Sequence, residues 1–317
     1  MGKLTVICLV WLLLFAVTLI LIDEQLSVNE LEQTSNGAQR QERDNGTSQS
    51  SGFVALQVNG NLTDDFWERG VNDLPVLTVA VSYVVENVGN VSADVITVEI
   101  ALDSVYYSTE TVYDLLPNSE FAESISFSVE YDQSKTVEIE ASCDDVMDFW
   151  SHTVDAVLPR HFSLGVSKFF VTPDEQCVQS VYGEIASDIF FVHWIAIRDW
   201  VGRNIDYVDD EDVHGVGEFW QLGRETLESR TGDCEDFAIL LCSLLRADEW
   251  SVEDVYVVIG QNDVGNYHAW VKVKIPFVGW YNIEPQLDGW NTLVGDLVAL
   301  HGYTAIYNFN DQYFTEL

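Results

Sequence analysis

The sequence predicts an α+β domain preceded by an all-β sandwich and an N-terminal transmembrane helix. Three observations predict it: an uncharged apolar run near the start, period-two alternation through the first half, and helical periodicity followed by strands in the second half. Leu4 to Ile22 has only Thr5 and Thr18 as polar members, and as a helix it is long enough to cross a bilayer core. Lys3 precedes it and Asp23 and Glu24 follow, which puts the N-terminus in the cytoplasm and the rest outside. A cleaved signal peptide is the rival, but no small-x-small pattern follows the run. Residues 1–22 therefore read as an uncleaved, single-pass signal anchor with the lipid bilayer as partner. Residues 23–52 are polar and lack an apolar period, as expected of a flexible linker. Asn45, Asn61 and Asn90 head glycosylation triplets, which also arise by chance.

Residues 53–160 alternate. Val79, Val81, Tyr83 and Val85 share one parity, as do Ile96, Val98, Ile100 and Leu102, then Ile125, Phe127 and Val129, then Val137, Ile139 and Ala141. Cys143 continues the last series, so packing is its expected role. Short strands between Gly, Asn, Pro and Ser turns indicate an immunoglobulin-like sandwich. The run "VVENVGNVSADVITVEIALD", then "LLPNSEFAESISFSV", resembles CARDB-type modules of microbial cell surfaces. That resemblance implies a spacer or adhesion unit, and no catalytic cluster is visible in this half.

Residues 161–317 differ. Asp174 to Ile205 carries apolar residues at helical intervals, with an interruption expected near Gly183. The acids Asp209 to Asp212 lack the spaced pattern of a calcium loop and read as a solvated run. In "RTGDCEDFAILLCSLLRA", Asp233 is a good N-cap and Asp236 takes the reciprocal place of a capping box. Cys234 thus falls in the first turn of an apolar helix, where the backbone N–H groups favour a thiolate while the neighbouring acids oppose it. Cys242 is a packing residue. "VEDVYVVIG", "YHAWVKVKI" and "GWYNIEP" read as strands, with His268, Trp270, Lys272 and Lys274 on one face of the second and Tyr267, Ala269, Val271 and Val273 on the other.

A helix-borne Cys, a strand-borne His and an acid one strand on is the order of a Cys-His-acid triad, in which His268 would accept the thiol proton and supply the missing positive charge. "GDCEDFAILLCSLLRA", "HAWVKV" and "GWYNIEP" together resemble the transglutaminase-like superfamily, whose fold is papain-like, over about half the chain. The resemblance implies Cys234 as nucleophile, His268 as its base and Glu284 as the orienting acid. The family places Asp where Glu284 stands, so Asp288 is the reserve. It also implies an oxyanion donor near the thiol, either the Cys234 N–H or a side chain of "FWQLGRETLESRTGDCED", with Gln221 and Trp220 as candidates or as cleft walls. The implied activity is attack on an amide or peptide carbonyl: protease or amidase first, crosslinking acyltransferase second, on a protein or peptide of the cell envelope. The chemistry requires no metal or cofactor.

The formal net charge of −38 excludes nucleic acid as a partner and disfavours an anionic membrane surface. Only five lysines are present, and such acidity also fits a milieu of high ionic strength and an archaeal member of the superfamily. The five cysteines lack metal or redox spacing. Cys143, Cys177, Cys234 and Cys242 could form disulfides outside the cell, and pairing of Cys234 with Cys177 or Cys143 would make the triad a relic. A non-catalytic binding or scaffold protein on the same fold is the alternative to an enzyme.

Overall fold

The computed structural model describes residues 52–186, 193–287 and 300–317. The apolar run, nearly all of the polar linker and Asp288 lie outside the described residues. Among the described residues no helix is long and apolar enough to cross a membrane.

Seven strands form the sandwich: β1 (Leu56–Arg69), β2 (Pro75–Asn87), β3 (Ala93–Leu102), β4 (Val105–Leu115), β5 (Glu120–Glu130), β6 (Ser134–Cys143) and β7 (Val146–Asp155). They make antiparallel sheets of order β1-β2-β5 and β4-β3-β6-β7. The alternating residues meet between the sheets: Val81, Val85, Ile96, Val98, Val137, Ile139 and Ala141 are fully buried, and Cys143 joins them. Apart from Ala93 at the start of β3, each strand buries one parity only, which fixes the register, because a one-residue slip would turn the apolar set to solvent. Asp103 and Ser104, both left-handed (φ 52° and 60°), make the β3–β4 hairpin turn.

A 3₁₀ turn (Ser167–Phe170) leads into α1 (Gln176–Ala186) and α2 (His193–Asn204). Gly183 lies inside α1, and residues 187–192, which follow its end and bear on the interruption expected near Gly183, lie outside the described residues. The short pieces β8 (Asp206–Tyr207), α3 (Asp210–Val213), α4 (Gly223–Ser229) and β9 (Thr231–Gly232) precede α5 (Cys234–Ala247), with β8 and β9 paired in parallel. Then come β10 (Val255–Asn262), β11 (Tyr267–Ile275), β12 (Gly279–Ile283), β13 (Tyr303–Phe309) and β14 (Phe314–Glu316), in one sheet of order β12-β11-β10-β13-β14.

Helix α5 is the centre of this domain. Ile239, Leu240, Leu241, Cys242, Leu244 and Leu245 are fully buried, on every side of the helix, as expected of an apolar helix enclosed by its neighbours. Ala269, Val271 and Val273 of β11 pack in the same core. At its C-terminal end, Arg246 pairs with Asp311 at 2.6 Å, which complements the helix dipole and ties down the last strands.

Arg69 fastens the sandwich to this domain, donating to the carbonyls of Lys168 (2.6 Å), Val171 (2.9 Å) and Asp311 (3.0 Å) while paired with Asp73 at 2.7 Å. Arg160 bridges Asp132 of the sandwich and Glu225 of α4.

Candidate active site

The start of α5 is fixed by its own acids. Asp233 is extended (φ −106°), and its N–H donates to the Asp236 carboxylate at 3.3 Å, the reciprocal half of the expected capping box. Gly232 permits this, since a Cβ there would lie 2.6 Å from the Asp236 side chain. Asp236 is fully buried and also accepts from the Gln221 N–H (2.7 Å) and the Gln221 side-chain amide (2.6 Å). Cys234 is left on the first turn, half-buried and facing a cavity of about 510 Å³.

His268 of β11 lines the same cavity. Its Nε2 lies 2.6 Å from Glu284 Oε2, just beyond β12. Glu284 is buried, and the longer acid thus reaches the imidazole in the place where the family pattern has Asp. Because Glu284 occupies Nε2, Nδ1 is the nitrogen available to the thiol. The rings of Tyr303 and Trp270 flank His268, with centroids 5.2 and 6.3 Å away. Trp270, which the alternation put on the polar face of β11, is buried: its indole covers Gly260, where a Cβ would come within 2.4 Å of the ring.

The electrostatics are hostile to a resting thiolate. Burial, then the Glu235 and Asp233 carboxylates, push the Cys234 thiol well above its ordinary value, and the Ala269 N–H pulls the other way. The thiol donates to Glu235 Oε2 at 3.3 Å. Glu235 is itself pushed up by burial and then by Asp233. Asp210 is raised to about 6 by burial and Asp233, against the pull of the Phe219 N–H that it accepts. Its burial corrects the reading of Asp209 to Asp212 as a wholly solvated run. The ligand atoms of Asp233, Cys234 and Glu235 lie within 4.8 Å of one another, as do those of Asp210, Asp233 and Asp236, so these are the residues that could hold a cation.

The two side chains considered as oxyanion donors are engaged elsewhere. The Gln221 amide donates to Asp236 and to the Thr231 carbonyl, and its oxygen accepts from Ser229, so no amide hydrogen is left for a substrate. Trp220 lines the cavity as a wall, its indole N–H bonded to Glu218 at 2.6 Å. Cys143, Cys177, Cys234 and Cys242 are free thiols, so the disulfide between Cys234 and Cys177 or Cys143 is not formed. Sequence reasoning passed over Glu218 and Tyr303, and it read Glu235 only as one of the acids opposing the thiolate, without its burial. Neither Glu218 nor Tyr303 carried a local signal.

Residues 186–285 match the model of the transglutaminase-like superfamily core, a span that contains Cys234, His268 and Glu284. No curated protein matches the chain. Among solved structures, LapG of Legionella pneumophila in its EGTA-treated form is similar at 13% identity and a TM-score of 0.35, covering 50% of this chain and 88% of its own. A cysteine-protease candidate from Cytophaga hutchinsonii is similar at 14% identity and 0.31, covering 81% of this chain and 90% of its own. The CARDB domain of PF1109 from Pyrococcus furiosus is similar at 17% identity and 0.28, covering 34% of this chain and 98% of its own.

Proposed function

We propose, from a chain that carries a transglutaminase-like superfamily core at residues 186–285, a cysteine enzyme that cleaves amide or peptide bonds. The observation that carries the reading is the His268–Glu284 bond at 2.6 Å, in a cavity that also receives Cys234. Glu284 holds Nε2, which leaves Nδ1 for the thiol, and stabilises the imidazolium when it forms. Because the acids keep the thiol protonated at rest, His268 takes its proton as the sulfur attacks, not before. The S–C bond forms as the carbonyl becomes an oxyanion, which the Cys234 N–H at the helix start stabilises. The C–N bond then breaks, and His268 returns the proton to the leaving amine. Water, deprotonated by His268, opens the thioester to an acid and restores the thiol. An amine in place of water gives a crosslink, the second choice.

The apolar run Leu4 to Ile22 supports an anchored, extracytoplasmic placement, with the sandwich as spacer and a cell-envelope protein or peptide as substrate. One observation favours the alternative of a non-catalytic binding module: the acids crowding the thiol. Iodoacetamide labelling of the full chain, located by mass spectrometry, separates the two. Labelling of Cys234 that falls about 100-fold or more in His268→Ala supports the enzyme, within the usual range for loss of a general base. A rate unchanged by His268→Ala leaves the binding module.

A further inference from the structure

Resting on the thiol-enzyme reading, we propose that Arg160 is a positioning residue for the substrate cavity, and that through it the sandwich helps to build the site as well as to space it. Two stretches of chain make the wall beside Cys234, with Phe162 from one and Glu218 and Trp220 from the other. Arg160 holds both. Its carbonyl accepts from the Trp220 N–H at 2.9 Å, and its guanidinium donates back to the Trp220 carbonyl at 3.3 Å. Both backbone polar groups of Trp220 thus meet one residue. The same guanidinium forks onto Glu225 (2.6 and 3.0 Å), whose carboxylate accepts from the Leu222 N–H at 2.7 Å. The intervening Phe219 ring has the guanidinium carbon 5.0 Å from its centroid and the His214 imidazole stacked on it at 4.0 Å.

The other partners of Arg160 belong to the sandwich. Asp132, in the turn between β5 and β6, pairs with the guanidinium, and the Tyr131 ring centroid lies 5.6 Å from it. Tyr131 is buried in the core of the second domain, and its hydroxyl accepts from Arg224. The Arg160 side chain is only 12% exposed. A planar fork of five donors can serve Asp132, Glu225 and a carbonyl at once, which the single ammonium of a lysine cannot match. Phe162, two residues on, stacks on Tyr307 at 4.4 Å and meets Trp220 edge-on at 6.1 Å. A shift at Arg160 therefore moves the rings that a substrate side chain would meet, whereas the His268–Glu284 bond is built on other elements.

The test compares alkylation of Cys234 in the full chain by iodoacetamide and by N-benzyl iodoacetamide, followed by mass spectrometry, with each rate taken relative to that of N-acetylcysteine. Both reagents meet the same sulfur, so their ratio cancels changes in the thiol and reports how a ring fits the wall. The benzyl reagent is expected to react about tenfold faster, from partial burial of its ring. Arg160→Met should cut that ratio to about threefold or less. Arg160→Lys keeps the charge, serves where the methionine variant fails to fold, and should cut it likewise. Asp132→Asn removes only the sandwich end of the bridge and should cost about threefold, as for a partly exposed pair. Arg69→Lys loosens the other fastening of the sandwich and should leave the ratio unchanged. A wild-type ratio near one overturns the proposal, as does a ratio that ignores Arg160→Lys or Asp132→Asn, or one that falls equally in Arg69→Lys. His268→Ala keeps the two readings apart. If it slows neither reagent, the thiol-enzyme reading fails; if it slows both and the ratio ignores Arg160, only the positioning role fails.

Discussion

Replacing Glu235 with glutamine puts the electrostatics of the thiol to a direct test. In the wild type the Cys234 sulfur lies 3.3 Å from Glu235 Oε2, an acceptor that favours the protonated thiol. Glutamine keeps the shape but offers an N–H donor to a thiolate. Turning one charged hydrogen bond from opposing to favouring the thiolate is worth at least about 1.5 kcal/mol, or roughly one unit of pKa. Full removal of a unit charge at that distance, with an effective dielectric of about 20, sets a ceiling near 5 kcal/mol. Solvent and neighbouring groups screen part of that charge, so the expected fall is about one to three units. Each unit gives about tenfold more thiolate but a sulfur roughly threefold less nucleophilic, a net gain of about threefold. Iodoacetamide should therefore modify Cys234 about 3- to 30-fold faster at pH 7 in Glu235→Gln, with the inflection of the rate profile moved to lower pH. An unchanged or slower rate would refute the reasoning and put the controlling charge elsewhere.

Three further substitutions probe the rest of the structure. Glu284→Gln should slow iodoacetamide labelling of Cys234 about 100-fold or more by losing the imidazole orientation, whereas Asp288→Asn should not; the reverse result would make Asp288 the triad acid. Burial raises Glu175 to about 7, with Arg224 pulling it back. Its folded-state pKa thus lies above the unfolded one, so the folded chain binds the extra proton and loses stability as pH rises through the interval between them, by about 3 kcal/mol in all. Glu175→Gln should flatten that decline between about pH 5 and 8 in chemical denaturation, and an unchanged slope would contradict it. Arg69→Met removes the donors to the Lys168, Val171 and Asp311 carbonyls and strands Asp73. A loss of about 3–5 kcal/mol is expected in the unfolding free energy, and a loss under about 1 kcal/mol would mean that this fastening is dispensable.

What the sequence revealed follows from which interactions are local or periodic. The sandwich core was legible because Val81, Val98 and Ile139 repeat at a period with one satisfactory burial, and the hairpin turns punctuate it. The order of Cys234, His268 and Glu284 was legible because each sits in a recognisable box on its own element. Trp270 was not, because its burial depends on Gly260 in the neighbouring strand, a pairing that no spacing within β11 records. Gln221 was misjudged for a similar reason: its amide is claimed by Asp236, fifteen residues on. Asp210 looked like one member of a solvated run until the Phe219 N–H and the burial around it were in view.

The acids around Cys234 show the same limit and explain why they are there. A helix start needs carboxylates to satisfy its N–H groups, and those same N–H groups are what a thiolate would use. The sequence displays Asp233, Glu235 and Asp236 as equivalent neighbours of the thiol, yet they divide the work. Asp236 turns inward and is bonded to Gln221 and the Asp233 N–H, which makes it the structural cap. Asp233 and Glu235 each keep an unpartnered oxygen and line the cavity. A thiol bonded to Glu235 and flanked by Asp233 is poorly activated at rest, so a catalytic Cys234 requires His268 at the moment of attack.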